Sequence, residues 1–543
     1  MQNREVATQP YTDQKPGTAG LRKSVKVFQQ PHYLENFLQS IFDTMPHWRG
    51  AAIVIGGDGR YFNDVAVQRA IAMAAANGVE RVIVGQHGFL STPAASHLIA
   101  RSGAAGGLLL TASHNPAGPD GDFGIKFSIA GGGQAPESLT EQVYAASRVI
   151  TRYRIAELAP VDLSRIGTVD AGGLRVDVVD PVMAYAELMQ GIFDFDQIRA
   201  WLRTGHRLRF DAMHAITGPY AQRIFVDLLG ARPDSVINGT PLPDFGGGHP
   251  DPNLIYAREL VDALMAPDAP DFGAASDGDG DRNMILGRGM FVSPGDSLAM
   301  LAAHLQRIPK YRNGLRGVAR SMPTSRAVDR VAKDKNIECF ETPTGWKFFS
   351  NLLDAGRIDL CGEESFGTSS SHVREKDGVW AALAWLNILA ATGLSVAQIA
   401  QQHWARYGRH YYARHDYEGL PVDLANELMC ALQASLADRV GQRHGDYTIT
   451  LADSFSYTDP IDGSVATQQG LRLVFGEAAR IVVRLSGTGT SGATLRVYLE
   501  HYESAAGRLA LEPNAVLAPL AQIALDIAGI VQRLGRDTPD VVT

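Results

Sequence analysis

The chain has 543 residues, 45% of them hydrophobic and 20% charged, with a formal net charge of −8. At about 150 residues per domain, that length calls for three or four hydrophobic cores. The acidic balance and the lack of any Lys/Arg-rich block exclude nucleic acid and anionic membrane as natural partners, and no apolar run approaches the ~20 residues that span a bilayer. The three cysteines, Cys339, Cys361 and Cys430, lie far apart with no CxxC pair. That points to a reducing compartment and away from a structural zinc site. The N-terminal stretch has no apolar core of the secretory kind, so a soluble, cytoplasmic protein is expected.

Residues 1–24 are polar and read as irregular, apart from a glycine-rich turn, KPGTAGLRK, that gathers Lys15, Arg22 and Lys23. An apolar strand over 51–55 ends in Gly-Gly-Asp-Gly, and helical spacing over 64–77 stops at Asn77-Gly78. A strand at 82–84 and a helix opened by Ser91-Thr92-Pro93 follow. The next strand, 108–110, stops at TASHNP, 111–116, and runs into a loop of glycines, proline and aspartates. This strand–helix alternation predicts a doubly wound mixed sheet.

The same grammar recurs twice. A strand at 207–211 breaks at 212–219, a helical run reaches 230, and a Pro/Gly-rich loop at 241–251 precedes a strand at 272–276. That strand enters Asp277-Gly-Asp-Gly-Asp-Arg282, after which 284–286 is apolar again. The third block has a strand at 317–321, a helix from Ser325, a turn TPTGW at 342–346, and a strand at 358–361 entering GEESFG. The helix predicted over 378–391 is apolar nearly all round and therefore buried. Beyond about 406 the texture changes. Alternating segments at 411–417 and 447–456 flank a helix at 424–440, then strand, loop and strand occupy 481–485, 486–492 and 495–502, and a long helix runs over 513–534. The expected organisation is three coarse α/β blocks and one smaller α+β domain, bounded as 1–190, 191–296, 297–406 and 407–543.

Four stretches carry chemistry. Asp277, Asp279 and Asp281 alternate with glycines, so an extended loop puts all three on one side. Such carboxylates repel unless a cation sits among them, and oxygen ligands select a hard ion, magnesium first. An EF-hand is excluded: counting from Asp277, the sixth position is Arg282 and the twelfth Arg288. The segment 487–492 matches G-x-G-x-x-G, but a strand and not a helix is expected after it. The dinucleotide reading therefore fails, while a nest of backbone N–H groups with Arg484 and Arg496 nearby suits a phosphate. Glu363-Glu364-Ser365 offers acceptors for sugar hydroxyls, and Lys376, in Arg-Glu-Lys-Asp, offers a proton carrier or phosphate ligand. A loop serine, Ser113, a three-Asp magnesium site, scattered cations and a distal phosphate nest are together accounted for by magnesium-assisted phosphoryl transfer through a serine.

These motifs also carry a resemblance. TASHNP, GDFGIKF, DGDGDRNM, TPTGWKFF, CGEESFG, HVREKDG and RLSGTG in this order resemble the α-D-phosphohexomutase superfamily, on its glucose-specific branch, from about Pro10 to Glu503. The resemblance implies three related α/β domains and a C-terminal TATA-binding-protein-like α+β domain around a central cleft. It implies interconversion of glucose 1-phosphate and glucose 6-phosphate, an isomerase-class reaction, through a phosphoserine and a glucose 1,6-bisphosphate intermediate that turns over in the cleft. By motif position Ser113 is the phosphoserine and, with Asp277, Asp279 and Asp281, holds one Mg2+. Arg22, His114, Lys126, Arg282 and Lys376 surround the transferring phosphoryl, with Lys376 favoured over His114 as proton carrier. Thr344, Gly345, Glu363 and Ser365 orient the sugar, and Arg484, Ser486, Gly487, Thr488, Thr490 and Arg496 grip the non-reacting phosphate. A phosphomannomutase or dual-specificity mutase and a phosphorylatable scaffold are the rival readings. Partners are small sugar phosphates, with a monomer or homodimer expected.

Overall fold

A computed structural model describes residues 2–17, 20–486 and 492–543. They divide into two compact units, one made of residues up to Phe291 with Leu305–Gly314 and Ser365–Val396, the other of Val292–His304, Leu315–Glu364 and Ala397–Thr543. The architecture is α/β with mixed sheets, as the strand–helix grammar predicts.

In the first unit a seven-stranded sheet runs Leu21–Ser24, Asp122–Ile129, Gly106–Leu110, Ala52–Gly57, Arg81–Phe89, Leu174–Val179, Gly167–Ala171. The four central strands, from Gly106–Leu110 to Leu174–Val179, are parallel to their neighbours, and the outer pairings are antiparallel. Ala52–Gly57 lies between Gly106–Leu110 and Arg81–Phe89, so the chain leaves it in opposite directions on its two sides. That is a topological switch point, where open α/β sheets place ligands beyond the strands' carboxyl ends. Gly106–Leu110 is buried along its whole length, as a parallel strand covered on both faces should be. A second, smaller sheet sets Leu208–Asp211 parallel to Phe272–Ser276, which turns back antiparallel into Asn283–Gly287.

The N-terminal segment corrects the expectation of an irregular tail. Asn3–Ala7 pairs antiparallel with Arg152–Ala156, and Leu21–Ser24 pairs with Asp122–Ile129. Both are short edge strands, held by backbone hydrogen bonds that no side-chain periodicity announces, and Leu21, 1% exposed, is the main apolar anchor of the second. The helix Gly378–Thr392 is core, with Trp380 and Trp385 buried. Among the described residues no single helix is long and apolar enough to cross a membrane.

In the second unit Gly317–Ser321 lies parallel between Glu338–Thr342 and Leu360–Glu363. The C-terminal residues build a six-stranded sheet in which Arg409–Leu420, Ala493–Glu503, Ala479–Ser486 and Leu471–Phe475 are successive antiparallel neighbours. Ala493–Glu503 is the strand expected after the glycine-rich loop, which disposes of the dinucleotide reading. The closing helix is broken into Pro513–Ala528 and Ile530–Leu534 at Gly529, whose φ of 61° stops the first segment. Met322 and Phe348 of the third block pack with Phe455 and Tyr457, and with Val482 and Tyr498 of the C-terminal sheet, so these two regions share one core.

Candidate active site

Gly106–Leu110 delivers Thr111, Ala112 and Ser113 to the switch point. Ser113 is 2% exposed and adopts φ 54°, the left-handed region that a non-glycine residue enters only when its surroundings force it. The forcing groups are identifiable. The Ser113 N–H donates to Thr111 Oγ1 at 2.8 Å, and Arg60 Nη2 donates to the Ser113 carbonyl at 2.6 Å. Arg60 also donates to the Asp122 carbonyl at 2.9 Å and is ion-paired with Asp58, both side chains wholly buried. Thr111 Oγ1 closes the ring by donating to Asp58 Oδ2 at 2.5 Å. Burial raises the Asp58 pKa, while Arg60 works against the shift. Sequence reading passed over this pair, although Asp58 follows the central strand at the switch point. Replacing Arg60 with methionine leaves the Asp58 carboxylate without its counter-charge. The expected loss is about 3–5 kcal/mol of stability, read by denaturant unfolding of the first unit.

The three aspartates sit on the turn between Phe272–Ser276 and Asn283–Gly287. A Cβ on Gly278 would lie 2.3 Å from the Ser113 carbonyl oxygen, and Gly280 has φ 82°, so both glycines are demanded by close approach and by backbone conformation. Asp277 Oδ1 accepts from the backbone N–H of Asp281 at 2.9 Å and of Arg282 at 3.0 Å, and its Oδ2 accepts from Ser113 Oγ at 2.8 Å. Asp279 Oδ2 accepts from Thr92 Oγ1 at 2.6 Å and pairs with Lys126 Nζ at 2.5 Å. Asp281 Oδ2 pairs with Lys126 Nζ at 3.0 Å and with Lys376 Nζ at 3.2 Å. The structure thus puts Lys126 and Lys376 on the acid cluster itself.

A divalent cation fits this donor set. One oxygen from each aspartate lies within 4.8 Å of the others, and Asp279 Oδ1 and Asp281 Oδ1 are buried with no hydrogen-bond partner among the described residues. Burial, then the charges of Asp281 and Asp279, hold the Asp277 carboxyl well above the usual carboxylate range. Burial would raise Asp281 as well, but Lys126, Lys376 and Arg282 outweigh it and hold its pKa below the ordinary value. Burial opposes the Lys126 charge, yet Asp279 and Asp281 prevail and raise its pKa.

Around this centre, Arg22 Nη1 donates to Asn115 Oδ1 at 3.3 Å, burial lowering the arginine's pKa, and Arg282 Nη1 pairs with Asp251 at 2.8 Å. The His114 ring lies 6.4 Å from that of His249, which stacks on Tyr256. The stretch preceding Lys376 is fixed by a buried polar chain. Tyr311 and Ser370 share a short hydrogen bond, Ser370 Oγ meets His372 Nδ1 at 2.8 Å, and His372 Nε2 meets Asp377 Oδ2 at 2.9 Å. Asp377 also accepts from Tyr185 Oη at 2.6 Å and caps the buried helix by accepting from the Trp380 N–H at 3.0 Å. Burial lowers the His372 pKa, keeping a neutral ring that donates to the aspartate and accepts from the serine. The Arg-Glu-Lys-Asp run is not a solvated charged face: Glu375 is 1% and Asp377 0% exposed.

Glu375 is a residue the sequence did not single out. Burial raises its pKa to about 7, partly offset by Lys126 and Lys376, and its Oε2 accepts from Gln134 at 2.9 Å. A carboxyl whose folded pKa exceeds its unfolded value of 4.5 costs stability as pH rises through that interval. Glu375→Gln is therefore expected to gain thermal stability relative to the parent between about pH 5 and pH 8; a difference independent of pH would contradict the assignment.

The second unit holds Thr344, Gly345, Glu363, Arg484, Ser486 and Arg496. Gly345, at φ 130°, donates its N–H to Glu363 Oε1 at 3.0 Å, and Thr344 Oγ1 is buried without a hydrogen bond among the described residues. Ser365 belongs to the first unit, half-buried before Phe366. Arg484 and Arg496 are cross-strand partners on adjacent strands, and Ser486 pairs with Thr494. Burial opposes the Arg484 charge, but Tyr498 and Glu364 outweigh it. Gly487, Thr488 and Thr490 lie outside the described residues. Glu364, within the stretch offered for sugar hydroxyls, has its carboxylate buried without a hydrogen bond among the described residues, and Arg414, which the sequence did not single out, lies cross-strand from Tyr498. Alternation along one strand gave no signal for Arg414.

Profiles of the phosphoglucomutase/phosphomannomutase α/β/α domains I, II and III match residues 13–154, 184–289 and 294–407, and that of the phosphoglucomutase-1 C-terminal domain matches 409–540. The chain belongs to the phosphoglucomutase/phosphomannomutase family. The phosphoglucomutase of Rhizobium radiobacter is 55% identical over 538 residues, 99% of each chain. Human phosphoglucomutase-1 is 50% identical, again over 99% of each chain. The solved open form of pp63/parafusin from Paramecium, an exocytosis-sensitive phosphoprotein and phosphoglucomutase, is 47% identical with a TM-score of 0.91, covering 100% of this chain and 99% of its own. Within this family the chain is an enzyme of the isomerase class, a phosphohexomutase.

Proposed function

We propose that the enzyme interconverts glucose 1-phosphate and glucose 6-phosphate through a phosphoserine on Ser113 and a glucose 1,6-bisphosphate intermediate. The observation that carries this reading is the contact between Ser113 Oγ and Asp277 Oδ2 at 2.8 Å, inside a cluster that also holds Asp279, Asp281, Lys126 and Lys376. A free serine is a weak nucleophile, so the resting enzyme carries the phosphoryl group and gives it to the sugar's free hydroxyl. Asp277, Asp279 and Asp281, with a phosphoserine oxygen, are the residues that would hold Mg2+, which supplies charge neutralisation at the transferring phosphoryl. Arg22, Lys126 and Arg282 add fixed positive charge there, His114 hydrogen-bonds to the group, and Lys376 is assigned the hydroxyl proton.

The bisphosphate then reorients and returns its other phosphate to Ser113. Thr344, Gly345, Glu363 and Ser365 are assigned to the sugar hydroxyls. Arg484, Ser486, Gly487, Thr488, Thr490 and Arg496 are assigned to whichever phosphate is not reacting, in a C-terminal phosphate-binding domain. Three scattered free thiols suit a cytoplasmic location. A coupled assay tests the substrate: kcat/KM for glucose 1-phosphate should exceed that for mannose 1-phosphate at least about tenfold, a margin of roughly 1.4 kcal/mol in transition-state binding. Equal use or a mannose preference would defeat the glucose assignment.

A further inference from the structure

In the second unit, away from the assigned site residues, the helix Ala327–Lys335 presents a basic stripe. Arg326, Arg330 and Lys333 recur at the i, i+4, i+7 spacing of one helical face. With Asp329, His410 and Glu477 they line a cavity of about 210 Å³. The acids on this wall do not neutralise it. Asp329 is already held by Arg320, at 2.6 and 2.7 Å, and Glu477, 90% exposed, reaches Arg330 only at 3.6 Å, a solvated pair of little strength. Lys333 is exposed and makes no ion pair among the described residues.

The side chains that line the cavity are anchored from behind. Glu500, 1% exposed, accepts from the Arg326 N–H at 2.6 Å, from Arg326 Nε at 3.1 Å and from Ser325 Oγ at 3.2 Å, and pairs with Arg480 at 3.0 Å. His410, 5% exposed, meets Glu500 through Nδ1 at 2.8 Å and accepts from Arg330 Nε through Nε2 at 3.3 Å. The Arg330 guanidinium lies 3.4 Å from the centre of the Tyr502 ring, so its fork is held in place. Arg326 Nη2 is buried and has no hydrogen-bond partner among the described residues. A pre-oriented guanidinium, Arg330, and a nearby ammonium, Lys333, make an anion receptor whose ordering cost is largely met before binding.

We infer that this cavity is a second binding site of the enzyme, for a small anion with two or more negative charges, of the phosphate-ester or polycarboxylate kind. A guanidinium fork and an ammonium on one wall match the charge of a phosphate, a short phosphate ester or a small polycarboxylate. The anion would bridge the helix of the third block and the first strand of the C-terminal sheet, through Arg330 and His410.

The test is isothermal titration of the full chain with inorganic phosphate and, separately, with citrate, at an ionic strength held constant with potassium chloride. The parent should bind one of the two anions at a site whose affinity falls at least tenfold in Arg330→Ala/Lys333→Ala, while phosphate binding elsewhere is common to both proteins. Lys333→Ala alone, at an exposed position, guards against misfolding of the double variant and should weaken the same site severalfold. Which anion binds tells the phosphate-ester source from the polycarboxylate. Superimposable isotherms in parent and variants for both anions would overturn the proposal, as would a loss that added chloride reproduces in full.

Discussion

Ser113→Ala is expected to abolish mutase turnover, with kcat reduced at least about 10⁴-fold, because on the proposed mechanism it removes the oxygen assigned to carry the phosphoryl group between half-reactions. The structure separates this effect from misfolding. Ser113 is held by backbone contacts, its N–H on Thr111 and its carbonyl on Arg60, and these survive the substitution. Among the described residues, the side-chain bond lost is the one to Asp277. The variant should therefore unfold near the parent's midpoint while failing in a coupled assay that supplies glucose 1,6-bisphosphate. Residual activity above a trace would mean that another group accepts the phosphoryl.

The second large effect concerns the aspartate turn. Asp277→Asn keeps the shape and, through the amide oxygen, the two backbone hydrogen bonds to Asp277 Oδ1, but removes one of three charges. Loss of metal-assisted stabilisation worth about 3–4 kcal/mol predicts a fall in kcat/KM of roughly 10²–10³-fold. A reading independent of turnover accompanies it. Mg2+ at a hundred times its dissociation constant should stabilise the parent by about 2.7 kcal/mol against unfolding, and the variant far less. The sign with pH is also fixed. Burial and the neighbouring carboxylates raise the folded-state pKa of Asp277 above its unfolded value of 3.8, so without metal the folded state binds more protons than the unfolded one and stability falls as pH rises from there toward the raised value. Mg2+ should flatten that fall. A Mg2+-insensitive melting point in the parent would contradict the metal assignment.

The sequence made legible what lies close along the chain. DGDGDR shows its acids, its glycines and the strands on either side, and all are found in that order. The rejection of a dinucleotide loop at 487–492 rested on the strand that follows, Ala493–Glu503, which the fold contains. What the sequence did not reveal joins distant residues. Arg60 reaches the Ser113 carbonyl across 53 positions and Thr92 reaches Asp279 across 187. Neither has a spacing to recognise, since a hydrogen bond across a sheet or between two domains depends on topology and not on period. The chain from Tyr185 through Asp377 and His372 to Ser370 hid for another reason. Arg-Glu-Lys-Asp looks like a solvated charged run, and only burial shows that Asp377 is a helix cap with three donors and that Glu375 lies against the lysines.

The most direct test is the peptide mass of protein purified without phosphatase and treated with glucose 1,6-bisphosphate, then with excess glucose 6-phosphate. The account predicts one phosphate, on the peptide containing Ser113, gained in the first step and discharged in the second. A Ser113 that the bisphosphate does not charge, in protein that still interconverts glucose phosphates, would contradict it.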